Sequence, residues 1–231
     1  MGKDVIIACD FASKKDTLEF LDKFTDVKPF VKIGMELYYA EGPDIVREIK
    51  ARGHKIFLDL KMHDIPNTVK KAMRSIASFG VDMTNVHAGG GIAMMQAAME
   101  GLDGKAILIA VTQLTSTSAE TLKNELLIDA SMNDTILTYA INASKAGLGG
   151  VVCSPLESTM IHDHFTKENI PFITVTPGIR FADSSKDDQS RITTPAVAKE
   201  MGSDYIVVGR PITQAQDPVA AYKRCVAEFV D

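Results

Sequence analysis

Lys55-Ile56-Phe57-Leu58-Asp59-Leu60 runs directly into Lys61-Met62-His63-Asp64, so an apolar segment ends in alternating charges. A buried strand normally ends in a polar turn. Side chains two apart on a strand share a face, which would point Asp59 and Lys61 the same way. Apolar runs as continuous as this one read as strands buried on both faces. Similar runs stand at 5–9, 30–33, 83–87, 106–111, 150–153, 172–175 and 205–208. With 55–60 they make eight, at intervals of roughly 20 to 40 residues.

Helical patterns fall between them, at 15–24, 43–52, 68–79, 92–100, 136–146, 157–164, 194–200 and 218–230. Gly53, Gly80, Gly147 and Gly202 follow helices as C-terminal caps, while Pro43, Pro195 and Pro218 stand near helix starts. Strand–helix alternation of this kind predicts a (β/α)8 TIM barrel, one catalytic domain over residues 1–231. The alternative is a doubly wound open sheet. That fold carries a glycine-rich fingerprint after its first strand, where this chain has Cys9-Asp10-Phe11-Ala12-Ser13. The polar stretch 183–190, between the seventh strand and its helix, reads as a lid loop at the barrel mouth.

The 231 residues carry 25 Lys and Arg against 30 Asp and Glu, a net charge of −5 that argues against general nucleic-acid binding. Three cysteines, Cys9, Cys153 and Cys225, lie far apart in apolar runs with no CxxC pair. They read as small buried hydrophobes in a reducing, cytoplasmic setting, not as a zinc site or disulfide framework. Acidic residues closely flank the first apolar run, against a signal peptide, and no apolar stretch approaches the ~20 residues needed to span a membrane.

In a (β/α)8 barrel the reactive groups come from the C-terminal strand ends. Those ends carry Asp10, Lys32, Asp59 with Lys61, His87, Thr112 to Ser116, Ser154, Gly178 with Arg180, and Gly209 with Arg210. Strands one to three supply acids and lysines; strands seven and eight supply glycines and arginines. The latter pair is the usual phosphate site of such barrels, since glycine lets a phosphate approach backbone N–H groups and arginine presents a forked donor. Taken singly, each Gly-Arg is only a turn glycine beside a surface arginine.

A surface salt-bridge cluster is the bland reading of Lys32, Asp59, Lys61 and Asp64. Against it, Lys32 sits inside an apolar run and Asp59 ends another, and long apolar strands tolerate charge only when it is paired or used. A barrel lysine can form a Schiff base, but that requires the neutral amine. Flanking carboxylates favour the ammonium instead, each pair worth about 4 kcal/mol at ~4 Å before desolvation. Lys61 is therefore suited to donate a proton. Paired carboxylates could hold a metal, but the interleaved lysines would repel it. A charged acid–base network with no metal and no cofactor is the reading left.

Asp59-Leu60-Lys61-Met62-His63-Asp64-Ile65-Pro66-Asn67-Thr68 closely resembles the motif of the orotidine 5′-phosphate decarboxylase family, in its compact bacterial single-function form. Further segments fall in order: Asp10 with Phe11-Ala12-Ser13, Val31-Lys32-Ile33-Gly34-Met35-Glu36, Val111 through Ser116, Thr176-Pro177-Gly178-Ile179-Arg180, and Val207-Val208-Gly209-Arg210. The resemblance implies a cofactor-free conversion of orotidine 5′-monophosphate (OMP) to uridine 5′-monophosphate (UMP), the last step of de novo pyrimidine synthesis. It implies Lys61 as proton donor to carbon 6 and Asp59 beside the departing carboxylate. Lys32 and Asp64 would complete the network, with Lys32 and Asp10 also at the ribose. Residues 59–68 would line the substrate site, Thr115 and Ser116 would lie near the pyrimidine, and Arg180, Gln189, Gly209 and Arg210 would hold phosphate. It further implies a homodimer in which Asp64, Ile65 and Thr68 enter the neighbouring subunit's site.

Other features mean less. His162-x-His164 has the look of a metal pair, but a solvated helix end is the plainer reading. His63 is as suited to orienting a neighbour as to direct contact, and His87 reads as a satisfied core histidine. Gly89-Gly90-Gly91 reads as a loop needing positive φ, and Met94, Met95 and Met99 as helix packing. Two rival functions stay open. Sugar-phosphate decarboxylases and aldolases of the same superfamily share Asp-x-Lys-x-x-Asp but bind magnesium, with an acid where Lys32 stands. A non-catalytic nucleotide-binding barrel is the other.

Overall fold

The computed structural model describes residues 3–182 and 193–231. Eight parallel strands close into a barrel in sequence order: β1 (Asp4–Ala8), β2 (Phe30–Gly34), β3 (Ile56–Met62), β4 (Met83–His87), β5 (Ile107–Val111), β6 (Gly150–Val152), β7 (Ile173–Thr176) and β8 (Tyr205–Val208). Pairing of β1 with β8 completes the ring, with Ile6 opposite Val207.

Around it lie α1 (Lys14–Leu21), α2 (Met35–Glu41), α3 (Pro43–Ala51), α4 (Pro66–Ala77), α5 (Gly91–Leu102), α6 (Ala119–Asn124), α7 (Met132–Lys145), α8 (Pro155–Lys167), α9 (Pro195–Glu200), α10 (Arg210–Thr213) and α11 (Pro218–Phe229). Pro43, Pro195 and Pro218 open α3, α9 and α11 as expected, and Gly53, Gly80, Gly147 and Gly202 adopt φ between +71° and +89° after their helices. Three helices go beyond the pattern in the sequence. α2 follows β2 without a loop, and α6 and α10 span too few residues to show a helical period. No helix among the described residues is long and apolar enough to cross a membrane.

Alternation along the strands sorts the apolar residues into two layers. One set, including Ile6, Phe30, Phe57, Met83, Ile109 and Tyr205, fills the barrel interior. Residues one step along, such as Ile7, Val31 and Leu58, face the helices and pack with Val46, Ile49 and Met73. Each fully buried side chain of this size contributes about 1.5–3 kcal/mol. The expected reading of the methionines holds: Met94 and Met95 are core, with Met99 packed against it.

The histidine pair in α8 corrects the reading of a solvated helix end. His162 is half-buried, with Nε2 3.0 Å from Asp204 and 3.3 Å from Thr174 Oγ1, at the end of the barrel opposite the strand C-termini. His164 lies 3.5 Å from Glu168 instead. Among the described residues no three His, Cys, Asp or Glu side chains gather as a metal site. The hydrogen bond to Asp204 raises the His162 pKa against the pull of burial, with smaller help from the Gly202 carbonyl and Asp163. Burial would raise Asp204, but the His162 and Thr174 bonds outweigh it and hold it low.

This pair has a definite pH window. The His162 contribution is complete below its unfolded value of about 6.5 and fades as pH rises through its raised folded value; the Asp204 contribution is complete above about 3.9 and fades as pH falls through its lowered one. Tm should therefore decline as pH rises above about 6.5, and His162→Gln should flatten that decline. Thermal melts across this range check it; equal slopes in the two proteins would remove His162 as the cause.

Candidate active site

The charged residues continue the interior layers of the barrel upward. Two residues beyond Phe30, Phe57 and Met83 on the same inward face stand Lys32, Asp59 and Asn85. All three are buried: Lys32 is 9% exposed, Asp59 7% and Asn85 0%. Such burial is tolerable only with partners. Lys32 Nζ lies 3.0 Å from Asp10 Oδ1 and 3.5 Å from Asp59 Oδ2. Lys61 Nζ lies 2.8 Å from Asp59 Oδ1, which also accepts a 2.7 Å bond from Asn85 Nδ2. One carboxylate thus sits between two ammonium groups.

The titration behaviour follows from this geometry. Burial alone would raise Asp59, but Lys32 and Lys61 outweigh it and hold the carboxyl below its ordinary value. Burial alone would lower Lys32, but Asp59 and Asp10 outweigh it and hold the ammonium. Gly34 makes room for the arrangement. A Cβ there would fall 3.1 Å from both Asp10 Oδ1 and Lys32 Nζ.

Asp59 and Lys61 share a face as anticipated, but not through a regular strand. Pairing of β3 with β4 steps from Leu58↔Thr84 to Met62↔Val86, so Asp59, Leu60 and Lys61 bulge opposite Asn85 alone. Lys61 takes φ +49°, unusual for a non-glycine residue. Leu60 and Met62 turn away from the charges and pack against the outer apolar layer.

Two adjoining cavities open at the strand C-termini. The first, about 210 Å³, is lined by Lys32, Asp59 and Lys61 on one side and by Gln113, Thr115 and Ser116 on the other. The second, about 430 Å³, is lined by Asp10, Lys32, Gly178, Arg180, Gly209 and Arg210. Lys32, Pro177 and Val207 border both. Gly178 takes φ +87°, which glycine alone adopts freely, and Thr193 pairs with Ile179 directly after it. Gln189 and the expected lid 183–190 lie outside the described residues. Gln113, inside the segment from Val111 through Ser116, borders the first cavity, and Gln214, which follows α10 and lies outside the sequence motifs, borders the second.

The motif divides at Met62. From His63 to Thr68 six consecutive residues (His63, Asp64, Ile65, Pro66, Asn67 and Thr68) are exposed. Asp64 Oδ1 accepts from the Ile65 N–H at 2.6 Å and forms no ion pair among the described residues, and Ile65 is 66% exposed. Asp64 therefore does not join Asp59 and Lys61 within its own chain. His87 corrects the reading of a satisfied core group: it is half-buried at the rim, its ring centroid 5.9 Å from that of His63. Burial, His63 and Lys61 together lower its pKa. In the glycine run only Gly91 takes positive φ, while Ala88–Gly90 forms a 3-10 turn; a Cβ on Gly90 would overlap Met94 Cε.

A family model described as "Orotidine 5'-phosphate decarboxylase / HUMPS family" matches residues 3–225. The chain belongs to that family. Among relatives named orotidine 5′-phosphate decarboxylase, one from Streptococcus thermophilus is 56% identical, the match covering 98% of this chain and 97% of the relative. One from Geobacillus sp. (strain WCH70) is 52% identical over 99% of this chain and 98% of its own. The crystal structure of orotidine 5′-phosphate decarboxylase from Lactobacillus acidophilus superposes with a TM-score of 0.87 at 43% identity, covering 99% of this chain and 100% of that one. The family description joins two names, and the relatives above carry the first of them.

Proposed function

We propose that this chain decarboxylates OMP to UMP in pyrimidine biosynthesis, as a single (β/α)8 catalytic domain, in the cytoplasm and without metal or cofactor. The observation that carries the reading is the Asp59 carboxylate held between the Lys32 and Lys61 ammonium groups, at 3.5 and 2.8 Å. A divalent cation at Asp59 would have to displace two cations already in contact with it, which disfavours the magnesium-dependent sugar-phosphate reaction. The pyrimidine sits in the cavity of Thr115 and Ser116, the ribose between Lys32 and Asp10, and the phosphate against Arg180, Gly209, Arg210 and Gln189. The remaining members of the 59–68 segment frame the site from both subunits.

In this reading the bond from carbon 6 to the carboxylate breaks and carbon dioxide leaves, with the electron pair remaining on carbon 6. The Lys61 ammonium stabilises that charge and transfers its proton to carbon 6; water then restores the ammonium. Asp59, beside the substrate carboxylate, repels the ground state, and phosphate binding at the remote cavity offsets that cost.

The test follows the ultraviolet absorbance of OMP with purified protein, with and without a chelator. Turnover should be unchanged by the chelator. Loss of activity that magnesium restores would favour the sugar-phosphate enzymes, and tight UMP binding without turnover would favour a binding barrel.

The proposal includes a homodimer in which Asp64 and Thr68 serve the partner's site. Support comes from the exposure of 63–68 beside the cavity mouth and from Asp64 bonding the Ile65 N–H in place of its own Lys61. Lys61→Ala and Asp64→Ala chains, each impaired alone, should complement when dissociated and reassociated together. Random pairing restores about one quarter of all sites. Activity that stays at the sum of the two variants would refute sharing of sites.

A further inference from the structure

We propose that Asn85 is a positioning residue for the reaction, its carboxamide bridging the Asp59 carboxylate and the Lys61 backbone across the β3 bulge. The proposal rests on the decarboxylase reading of the site. Asn85 is the middle residue of β4, at an inward position otherwise suited to an apolar side chain, and it is completely buried. A buried carboxamide is costly unless its groups are bonded. Here both are: Nδ2 donates to Asp59 Oδ1 at 2.7 Å, and Oδ1 accepts from the Lys61 N–H at 2.8 Å.

These bonds replace the ladder that the bulge removes. Across Asp59, Leu60 and Lys61 the strands lose their regular pairing, and Asn85 is the residue opposite. A main chain at φ +49° on a lysine needs an external hold. The carboxamide supplies it, and at the same time it orients the carboxylate that Lys61 Nζ contacts. One side chain thereby sets the direction of the proton donor and the position of its acidic neighbour. An aspartate at 85 would have no donor for Asp59, and an aliphatic residue would have neither group.

The experiment compares wild type, Asn85→Leu and Asn85→Asp in OMP turnover across pH, and measures hydrogen exchange of the Lys61 amide by NMR. Asn85→Leu should lower kcat by about 100-fold while KM changes less than about threefold, since the ribose and phosphate groups are untouched. Its Lys61 amide should exchange at least about tenfold faster. Asn85→Asp should be impaired at neutral pH and recover toward acid as the introduced carboxyl gains an O–H to donate to Asp59; wild type should not. A folded Asn85→Leu with wild-type kcat, or an Asn85→Asp profile parallel to that of wild type, overturns the proposal. If Asn85→Leu does not fold, the Asn85→Asp profile decides. If wild type fails to turn over OMP, the functional reading falls, and the exchange measurement then decides Asn85: an unchanged Lys61 amide overturns it.

Discussion

Lys61→Ala is expected to lower kcat for OMP by at least about 10⁴-fold while leaving the barrel folded. A positioned general acid supplies roughly 10²–10⁴-fold, and a preorganised charge facing a developing anion supplies about 10²–10³-fold. In the proposed mechanism a single ammonium does both, so its loss removes both effects. The fold should survive for a local reason. Lys61 lies at the mouth, and Asp59 keeps Lys32 at 3.5 Å and Asn85 at 2.7 Å when Lys61 is truncated. The buried carboxylate is never left unpaired, which is the event that makes such truncations costly. Steady-state kinetics and a thermal melt on the same preparation provide the check. Activity within tenfold of wild type would remove Lys61 as the proton donor.

Arg210→Ala is expected to lower kcat/KM for OMP by about 30- to 1,000-fold, or about 2–4 kcal/mol, the range for removing one charge-assisted hydrogen-bond donor from a bound anion. Arg210 opens α10 directly after Gly209 and borders the larger cavity together with Arg180. That cavity adjoins the one lined by Asp59 and Lys61, and Lys32, Pro177 and Val207 border both. The consequence is a substrate-specific loss. Orotidine, which lacks the phosphate, should be turned over by the variant within about threefold of the wild-type value, because that substrate never makes the phosphate contact that the variant loses. Equal losses on the two substrates would mean that Arg210 supports the barrel mouth generally and does not bind phosphate.

Much of this molecule is legible in its sequence, and each miss has a physical cause. Eight continuous apolar runs announce eight strands because strands buried on both faces cannot carry polar residues without penalty. The same rule exposes Lys32 and Asp59, charges set where only paired charges survive. It also carries a signal for Asn85, a polar residue inside the run 83–87, but a weaker one because asparagine bears no charge. His162 looks solvated from its own helix because the Asp204 that binds it is 42 positions away. α10 is a single turn, and α2 follows β2 with no loop to mark its start.

The sequence by itself determined the barrel, the alternation of its layers and which residue types reach its mouth, because period and burial are properties of each segment. It also carried the family motif as one unbroken string of ten residues. Only the tertiary structure divided that string, placing Asp59 and Lys61 in the cavity and leaving His63 through Thr68 at the surface. The division arises at the bulge, where three residues of β3 stand opposite Asn85. Register between strands depends on contacts between segments far apart in the chain, and no local pattern specifies it.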